Sequence, residues 1–588
     1  MIEPKRSRPA RTRPEDLSFG VEDRPLPGTL AMLAVQHVLM ALMLSLYAVI
    51  AGQAIGLQGA ALGAQVSTGI FLVGLLTVLH GLAGRFGTGM PLVGMPSPML
   101  LGVWTATLLA FGPAATMGAV LVSNLIVLAL AGLLPRLRPA FPPAVVGVVV
   151  LALGLSLVAG GVSRSLGLAP GTTALPEGGV AGPALTAGAT LAVIIALSIW
   201  GGARLRIQAV LLGTACGLAA AVATGQAGEA LLTEVAALPA LSLPFLGLDV
   251  PAPRFEILAI VPILLVQIIS AINTLADALA MDRMTDAKWR RADMPLAARA
   301  VGLTSAVNLA CGLVGSLPLG TSSGNIGLVR ATGAASRHVG LATGAMLMAV
   351  AFLPQVSGLI VRIPEPVIGG FLIFTAAYLI SAGMDLALSR LLDARRNFTI
   401  GLSLVACGTV LLLPELVRAA PDWVQPVLAS APAVAAFVAI ALNLLFRLGA
   451  TQTGRLVMQN TQAWPEAVEF LEHHGRIWGA RREVVARAGL VVGEAVETLS
   501  QAGLVEGPVT LVARFDEFNL LCILSYQGEP PALHGDATPD LEAALQGGEA
   551  EMELAMRQVS ASLITRMADR VQAKRSQGRA ELRLHFSH

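Results

Sequence analysis

The chain has 588 residues, of which 55% are hydrophobic and 13% are charged, with a mean hydropathy of +0.73 and a formal net charge of +2. Soluble globular proteins carry about 25% charged residues, so this composition excludes that class and indicates a polytopic membrane protein in contact with the lipid bilayer. The net charge gives no indication of a nucleic-acid partner. The four cysteines lie far apart without metal-ligand spacing, and we expect neither a metal nor a cofactor.

The amino-terminal stretch is basic but is not followed by an apolar core. Lys5, Arg6, Arg8, Arg11 and Arg13 precede Pro14-Glu15-Asp16, which argues against a cleaved secretory signal. We therefore expect residues 1–28 to form a cytoplasmic tail.

Fourteen apolar segments follow, each near the length of about 20 residues that spans a bilayer. They form two sets of seven, at about 29–225 and 256–447, within a transmembrane domain over 29–450. The segments are 29–52, 66–84, 91–112, 114–134, 142–162, 183–202, 206–225, 256–281, 297–314, 321–336, 339–360, 366–385, 398–416 and 428–447.

Loop charges support an even number of spans with both ends inside. Predicted inner loops are basic, as at Arg136 and Arg138, whereas outer loops are mostly neutral or acidic, as at Glu177 and Glu234. We expect a multi-pass protein of the cell (inner) membrane with both termini cytoplasmic. Seven spans per half place the halves in opposite orientations, which is the geometry of an inverted repeat.

Two Gly/Pro-rich stretches interrupt this apolar pattern. Residues 315–328 contain Pro318 and several glycines, and residues 91–99 contain three prolines, so neither forms a continuous helix. Unwound backbone at membrane depth needs protein or a watery cavity beside it. Matching interruptions in two halves predict the binding site of a transporter, although two ordinary loops would give the same composition.

The eighth segment carries a polar stripe on an otherwise apolar helix. Its members recur at steps of three and four: Gln267, Ser270, Asn273, Thr274 and Asp277. An ionisable group inside a span usually marks a substrate or ion path, which makes Asp277 a candidate. The alternative is an interfacial carboxylate paired with Arg283 or another inner-loop base.

Further candidates flank the broken stretches. Ser323, Asn325 and the free amides near them are donors for a ligand carbonyl or anion, and Ser97 with the Met99 amide is the equivalent set in the first half. Gln36 and His37 in the first span are either ligands or interhelical hydrogen-bonding residues.

Several motifs together resemble the nucleobase–ascorbate transporters, or nucleobase–cation symporter family 2, which includes xanthine/uracil permeases. The motifs are Phe19–Pro25, Gln36-His37, Phe141–Ser156, Asn325–Val329, Ala335–Val339, Ile363–Gly370 and Asn443–Gly449. The resemblance implies an all-α seven-plus-seven inverted repeat with core and gate domains. It also implies proton- or sodium-coupled uptake of a nucleobase, often by a homodimer, and no enzyme activity.

The chain departs from this family at the residues that grip the base. The family's usual glutamate in the eighth span is here Asn273, while Asp277 keeps the second position, and the acid or amide before Asn-x-Gly is here Gly324. By this resemblance the substrate site comprises Asn273, Asp277, Ser323, Gly324, Asn325, Ser97 and Met99, with His37 nearby. Asp277 and His37 are the remaining candidates for ion coupling.

Residues 451–588 are charged and mixed, and predict a small cytoplasmic α+β domain. Helices are expected at Trp464–His474, Arg481–Gln501 and Leu541–Lys574, and strands at Val509–Phe515, Leu520–Tyr526 and Glu581–Phe586. Val492–Thr498 and Ile523–Gly528 faintly resemble a histidine-kinase-type ATPase fold, in a degenerate form; a plain regulatory or assembly domain is the alternative.

The leading hypothesis is therefore a secondary active nucleobase permease that works by alternating access. Two other hypotheses remain open. The first is a membrane sensor, or transceptor, that signals through its carboxy-terminal domain. The second is a transporter of a small anion, which the loss of both acids would suit.

Overall fold

The computed structural model describes residues 11–133, 142–168, 179–530 and 559–587, apart from short gaps. The gaps are 55, 203–204, 207, 227–229, 246–247, 249, 288, 290–292, 390–391, 393, 422–424, 429, 447–451, 460–463, 481, 502, 517–518 and 577–578. The chain divides into two compact units, Met1–Asn443, which is the membrane unit, and Leu444–His588, which is the carboxy-terminal unit.

Within its described residues, the first half of the membrane unit has eight α-helices and one short strand. These are α1 (Pro27–Leu44), α2 (Leu46–Ala54), α3 (Gly59–Gly81), β1 (Gly94–Pro96), α4 (Pro98–Leu130), α5 (Pro143–Ser165), α6 (Ala181–Trp200), α7 (Ala209–Ala223) and α8 (Ala230–Ala236). A proline in the first turn begins α1, α4 and α5, where its missing amide hydrogen costs nothing. Helix α4 contains the third and fourth predicted segments. It is kinked between them at Gly112, which has a φ of 78° and is followed by Pro113.

The second half also has one short strand among its helices. Its elements are α9 (Ile257–Met284), α10 (Met294–Leu313), β2 (Leu319–Thr321), α11 (Ser323–Thr332), α12 (Arg337–Val350), α13 (Pro354–Val361), α14 (Glu365–Ala387), α15 (Ala394–Leu412), α16 (Pro414–Ala419), α17 (Gln425–Leu428) and α18 (Ala431–Phe446). Within the described residues, eight helices are long and apolar enough to cross a membrane, or nine when the bent pair α12–α13 is one span.

Two predicted spans differ from the structure. Segment 321–336 is a 10-residue helix after a strand, too short to cross a bilayer, because the glycine-rich backbone before it is extended. Segment 339–360 is broken into two helices at an angle of 83°, where Pro354 begins the second helix. The count of fourteen spans and the seven-plus-seven arrangement therefore stay predictions.

Glycines allow the helices to cross closely at two places. A Cβ on Gly74 of α3 would lie 2.8 Å from the carbonyl oxygen of Gly344 on α12, and one on Gly344 would lie 2.7 Å from that of Gly74. Gly147 of α5 and Gly383 of α14 approach each other in the same reciprocal way. Small residues permit backbones to approach this closely in membrane helices.

These crossings belong to two groups of packed helices. One group contains α1–α4 and α9–α13, and the other contains α5–α7, α14, α15 and α18. Residues of both groups line one cavity, so the space between the groups is open to a small molecule.

The carboxy-terminal unit is a five-stranded antiparallel sheet with helices. The strands are β3 (Gln452–Met458), β4 (Val505–Phe515), β5 (Asn519–Gly528), β6 (Arg570–Ser576) and β7 (Arg579–Ser587), in the order β3-β4-β5-β7-β6. Helices α19 (Trp464–Ile477) and α20 (Arg482–Gln501) bury an apolar core with the sheet. Alternate residues of β5, such as Leu520, Cys522 and Leu524, point into that core.

Five of the six expected elements in this unit are confirmed in the structure, and the helix at Leu541–Lys574 is wrong in part. Residues 531–558 lie outside the described residues, 559–567 are helical, and Arg570–Ser576 is a strand. Helix-forming residues such as Gln572, Ala573 and Lys574 are extended there because they pair with β7. Strand β3 was not predicted.

Candidate functional site

The two broken stretches meet and form a short antiparallel ladder. Gly94 pairs with Thr321 and Pro96 pairs with Leu319. The ladder continues at both ends, where Ser97 N–H donates to Pro318 O at 2.9 Å and Ser322 N–H donates to Val93 O at 2.9 Å. Each strand leads directly into a helix, so α4 and α11 both begin at this ladder, as an interruption in each half predicts.

Two side chains from neighbouring helices hold the ladder in place. Thr77 of α3 accepts a hydrogen bond from Gly94 N–H at 3.0 Å. Asn308 of α10 makes two bonds with Leu319, accepting from its N–H at 2.7 Å and donating to its carbonyl at 3.0 Å. Sequence reasoning missed both residues; an amide inside the ninth apolar segment was the available signal.

A cavity of about 680 Å³ opens beside the ladder, within the usual size range of small-ligand sites. One helix group contributes Met40, Leu44, Tyr47, Met95, Ser97, Pro98, Met99, Ser270, Asn273, Gly320, Thr321, Ser322, Ser323, Gly324, Gly327 and Ala331. The other contributes Val150, Ser198, Arg206, Ala209, Val210, Phe371, Phe374, Thr375, Tyr378, Leu379, Ala382 and Leu386. The cavity therefore joins a polar wall to a largely apolar and aromatic wall.

Five predicted site residues line this cavity: Ser97, Met99, Asn273, Ser323 and Gly324. Sequence reasoning missed the whole facing wall, including Phe371 and Tyr378, because nothing local in the twelfth segment marks the face that meets the cavity.

Asp277 lies behind the cavity wall and does not line the cavity. Its Oδ2 accepts a hydrogen bond from the Thr321 hydroxyl at 2.6 Å, and its Oδ1 accepts one from the Ser323 hydroxyl at 2.9 Å. The amide of Asn273, one turn earlier on α9, lies 3.5 Å from Oδ2. Asp277 thus links α9 to β2 and to the start of α11. These hydrogen bonds differ from the alternative interpretation, in which Asp277 pairs with Arg283.

His37 and Asn325 also lie outside the cavity lining. His37 Nδ1 lies 2.7 Å from Asn325 Oδ1 and both residues are buried. The Asn325 amide and N–H both donate to Ser322 Oγ, at 3.0 and 3.3 Å, which caps α11. These contacts fix the first turn of α11 against α1. Within the described ranges, no three His, Cys, Asp or Glu side chains are grouped to hold a metal ion.

The two helix groups contact each other across the cavity through a tyrosine. The Tyr47 and Thr375 hydroxyls hydrogen-bond at 3.0 Å, and the Tyr47 ring lies 5.3 Å from the Phe371 ring. Tyr47 belongs to α2, and the other two residues belong to α14.

Comparison with known proteins identifies the family of this chain. A model of the xanthine/uracil permeases, described as a permease family, matches residues 28–416. The chain belongs to this permease family. It is therefore a transporter and not an enzyme, as the sequence predicted, and a multi-pass membrane protein.

Individual relatives match more than two thirds of the chain. The uric acid permease PucK of Bacillus subtilis is 30% identical over 426 residues, which is 71% of this chain and 95% of the relative. The xanthine permease XanP of Escherichia coli is 29% identical over 464 residues, covering 74% and 96%. Among solved structures, the transmembrane domain of a cyanobacterial bicarbonate transporter, BicA, is similar at 20% identity with a TM-score of 0.46, covering 70% of this chain and 99% of that one.

Proposed function

We propose that this permease carries a nucleobase of the oxopurine class across the cell membrane, with the cavity beside the β1–β2 ladder as its substrate site. The observation that carries the proposal is the meeting of both broken stretches at a cavity whose two walls differ in chemistry. Asn273, Ser97 and Ser323 present hydrogen-bonding groups to the edge of a base, and Phe371 presents an aromatic surface to its face. The named relatives transport uric acid and xanthine.

The polar wall suits a molecule that both donates and accepts hydrogen bonds. The Asn273 amide and the hydroxyls of Ser97 and Ser270 can each do either. At position 324 the family usually has an acid or amide side chain that binds the base. Gly324 has no side chain, so only its backbone can contact the substrate there. Among the described lining residues there is no carboxylate and the charged side chain is Arg206, so we infer that no acidic group binds the base.

Uptake by purified protein in proteoliposomes tests the substrate. We expect labelled xanthine or uric acid to accumulate, and Asn273→Ala to abolish uptake while expression is retained. Asn124→Ala is the matched control, because Asn124 is a buried amide that bonds to Val120 in its own helix and does not line the cavity. Equal uptake by Asn273→Ala and wild type would remove Asn273 from the site.

We propose that Asp277 couples transport to a proton or sodium ion, with His37 as the second candidate. The Asp277 carboxylate accepts hydrogen bonds from Thr321 and Ser323, which line the cavity. A change in its charge would therefore alter the hydrogen bonding of the residues that contact the substrate. Asp277→Asn should lose accumulation driven by an imposed gradient and retain exchange of external for internal substrate. Gradient-driven accumulation at the wild-type level in Asp277→Asn would exclude this role.

We further propose that the chain crosses the inner membrane fourteen times, in two inverted halves, with both termini in the cytoplasm. Access to the cavity would alternate between the two sides as the helix groups move against each other. Thr77 and Asn308 hold equivalent strands from opposite halves, which supports the repeat. Phosphatase or fluorescent-protein fusions after residue 450 test the orientation. Cross-linking in membranes tests a homodimer.

The same vesicles separate the two alternative functions. Purine binding without flux, together with a partner that needs residues 451–588, would favour a sensor. Uptake of bicarbonate or sulfate in place of purines would favour an anion transporter.

A further inference from the structure

A second cavity adjoins the substrate cavity. Its volume is about 450 Å³, and it lies between α1, α7 and α11. Its lining is mostly methionine and leucine, with Gln36, Gln208 and Thr332 as the polar members. The two cavities share four lining residues, which are Met40, Leu44, Val210 and Ala331.

Met40 lines both cavities and packs against Gly324, which lines the first, so its side chain is the candidate partition between them. A Cβ placed on Gly324 would overlap the terminal methyl of Met40. The methionine thus fills the volume that a side chain at position 324 would take. Methionine is unbranched and adapts its shape easily, so this partition can be moved or shortened without disturbing the backbone.

We propose that Met40 is a specificity-determining residue, and that the second cavity accepts the alkyl substituent of a larger purine once this partition yields. The inference rests on the proposed function and adds the substrate range of the same site. The polar edges of a base need hydrogen-bonding partners, which the ladder side of the first cavity supplies. A hydrocarbon group needs only an apolar space, which the second cavity supplies.

Competition with labelled xanthine uptake in proteoliposomes tests the proposal. The competitors are xanthines that carry methyl, propyl or benzyl on a ring nitrogen, each position measured separately. In Met40→Ala we expect at least one propyl isomer to inhibit about tenfold more strongly, relative to unlabelled xanthine, than in wild type, since two further methylenes enter an apolar space. Met40→Leu keeps the volume and should behave as wild type.

Two further variants show whether the stronger inhibition by alkylxanthines comes from shortening Met40. Met384→Ala is the control, because Met384 is 43% exposed on α14 and lines neither cavity. Met40→Val serves the same test if Met40→Ala expresses poorly.

The outcomes separate this inference from the proposed function. Unchanged alkyl preference in Met40→Ala and Met40→Val, with xanthine uptake intact, overturns the inference alone. An equal gain in Met384→Ala also overturns it. Absence of any purine uptake by the wild type overturns both.

Discussion

Thr321→Val removes one hydroxyl at the junction of α9 and β2 and keeps the shape of the side chain. That hydroxyl donates to the Asp277 carboxylate at 2.6 Å, within the range of short charge-assisted bonds, and Thr321 is 1% exposed. Hydrogen bonds to charged groups contribute about 1.5–3 kcal/mol. Because each 1.4 kcal/mol is a factor of ten, the unfolding equilibrium should shift by roughly 10- to 150-fold.

Reversible unfolding of the purified protein in mixed micelles measures this loss. Thr343→Val is the matched control, because Thr343 is also buried but donates at 2.8 Å to a carbonyl of its own helix, Val339. A neutral bond of that kind contributes about 0.5–1.5 kcal/mol, so the control should cost less.

A double-mutant cycle then assigns the loss to Asp277. In an Asp277→Asn background the charged partner is gone, and Thr321→Val should cost at least 1 kcal/mol less than in wild type, as an order-of-magnitude estimate. Equal costs in both backgrounds, or a cost no greater than that of Thr343→Val, would refute the view that this bond ties α9 to β2.

Three other predictions concern the helix crossings and the carboxy-terminal unit. Tyr47→Phe removes the bond to Thr375 and should change thiol accessibility of a cysteine placed in the cavity by about 2- to 10-fold, as loss of about 0.5–1.5 kcal/mol implies. Gly383→Ala should destabilise the α5–α14 crossing by about 1–3 kcal/mol in the same unfolding assay, whereas Gly401→Ala, with nothing near its added Cβ, should be neutral or stabilising. Burial raises the pKa of the Cys522 thiol to about 12, so maleimide should label Cys522 at pH 8 only after unfolding.

Sequence reasoning located the two broken stretches because their cause is local. Clustered prolines at 91–99, and Pro318 among several glycines at 315–328, disfavour helix through their own backbone chemistry, so both interruptions are predicted without reference to a partner element. The polar stripe on α9 could also be predicted from the sequence, because helical periodicity places Ser270 and Asn273 on one face without reference to a partner. Both residues line the cavity.

Sequence reasoning failed where a partner element decides the conformation. Arg570–Ser576 consists largely of residues that also form helices, and its pairing with β7 makes it a strand. The contacts of Asp277 were likewise not predictable, because Thr321 and Ser323, which hydrogen-bond to it, come from another segment; its role at the substrate stays a prediction.

The sequence by itself determined the membrane class, the family and the places where helix must stop, because each follows from residue composition or from neighbours along the chain. Only the tertiary structure decided that β1 pairs with β2, that Asn308 fixes that pair, and that Met40 fills the space over Gly324. Those contacts join residues far apart in the chain. Their geometry is set by how closely the helices pack, which no local pattern encodes.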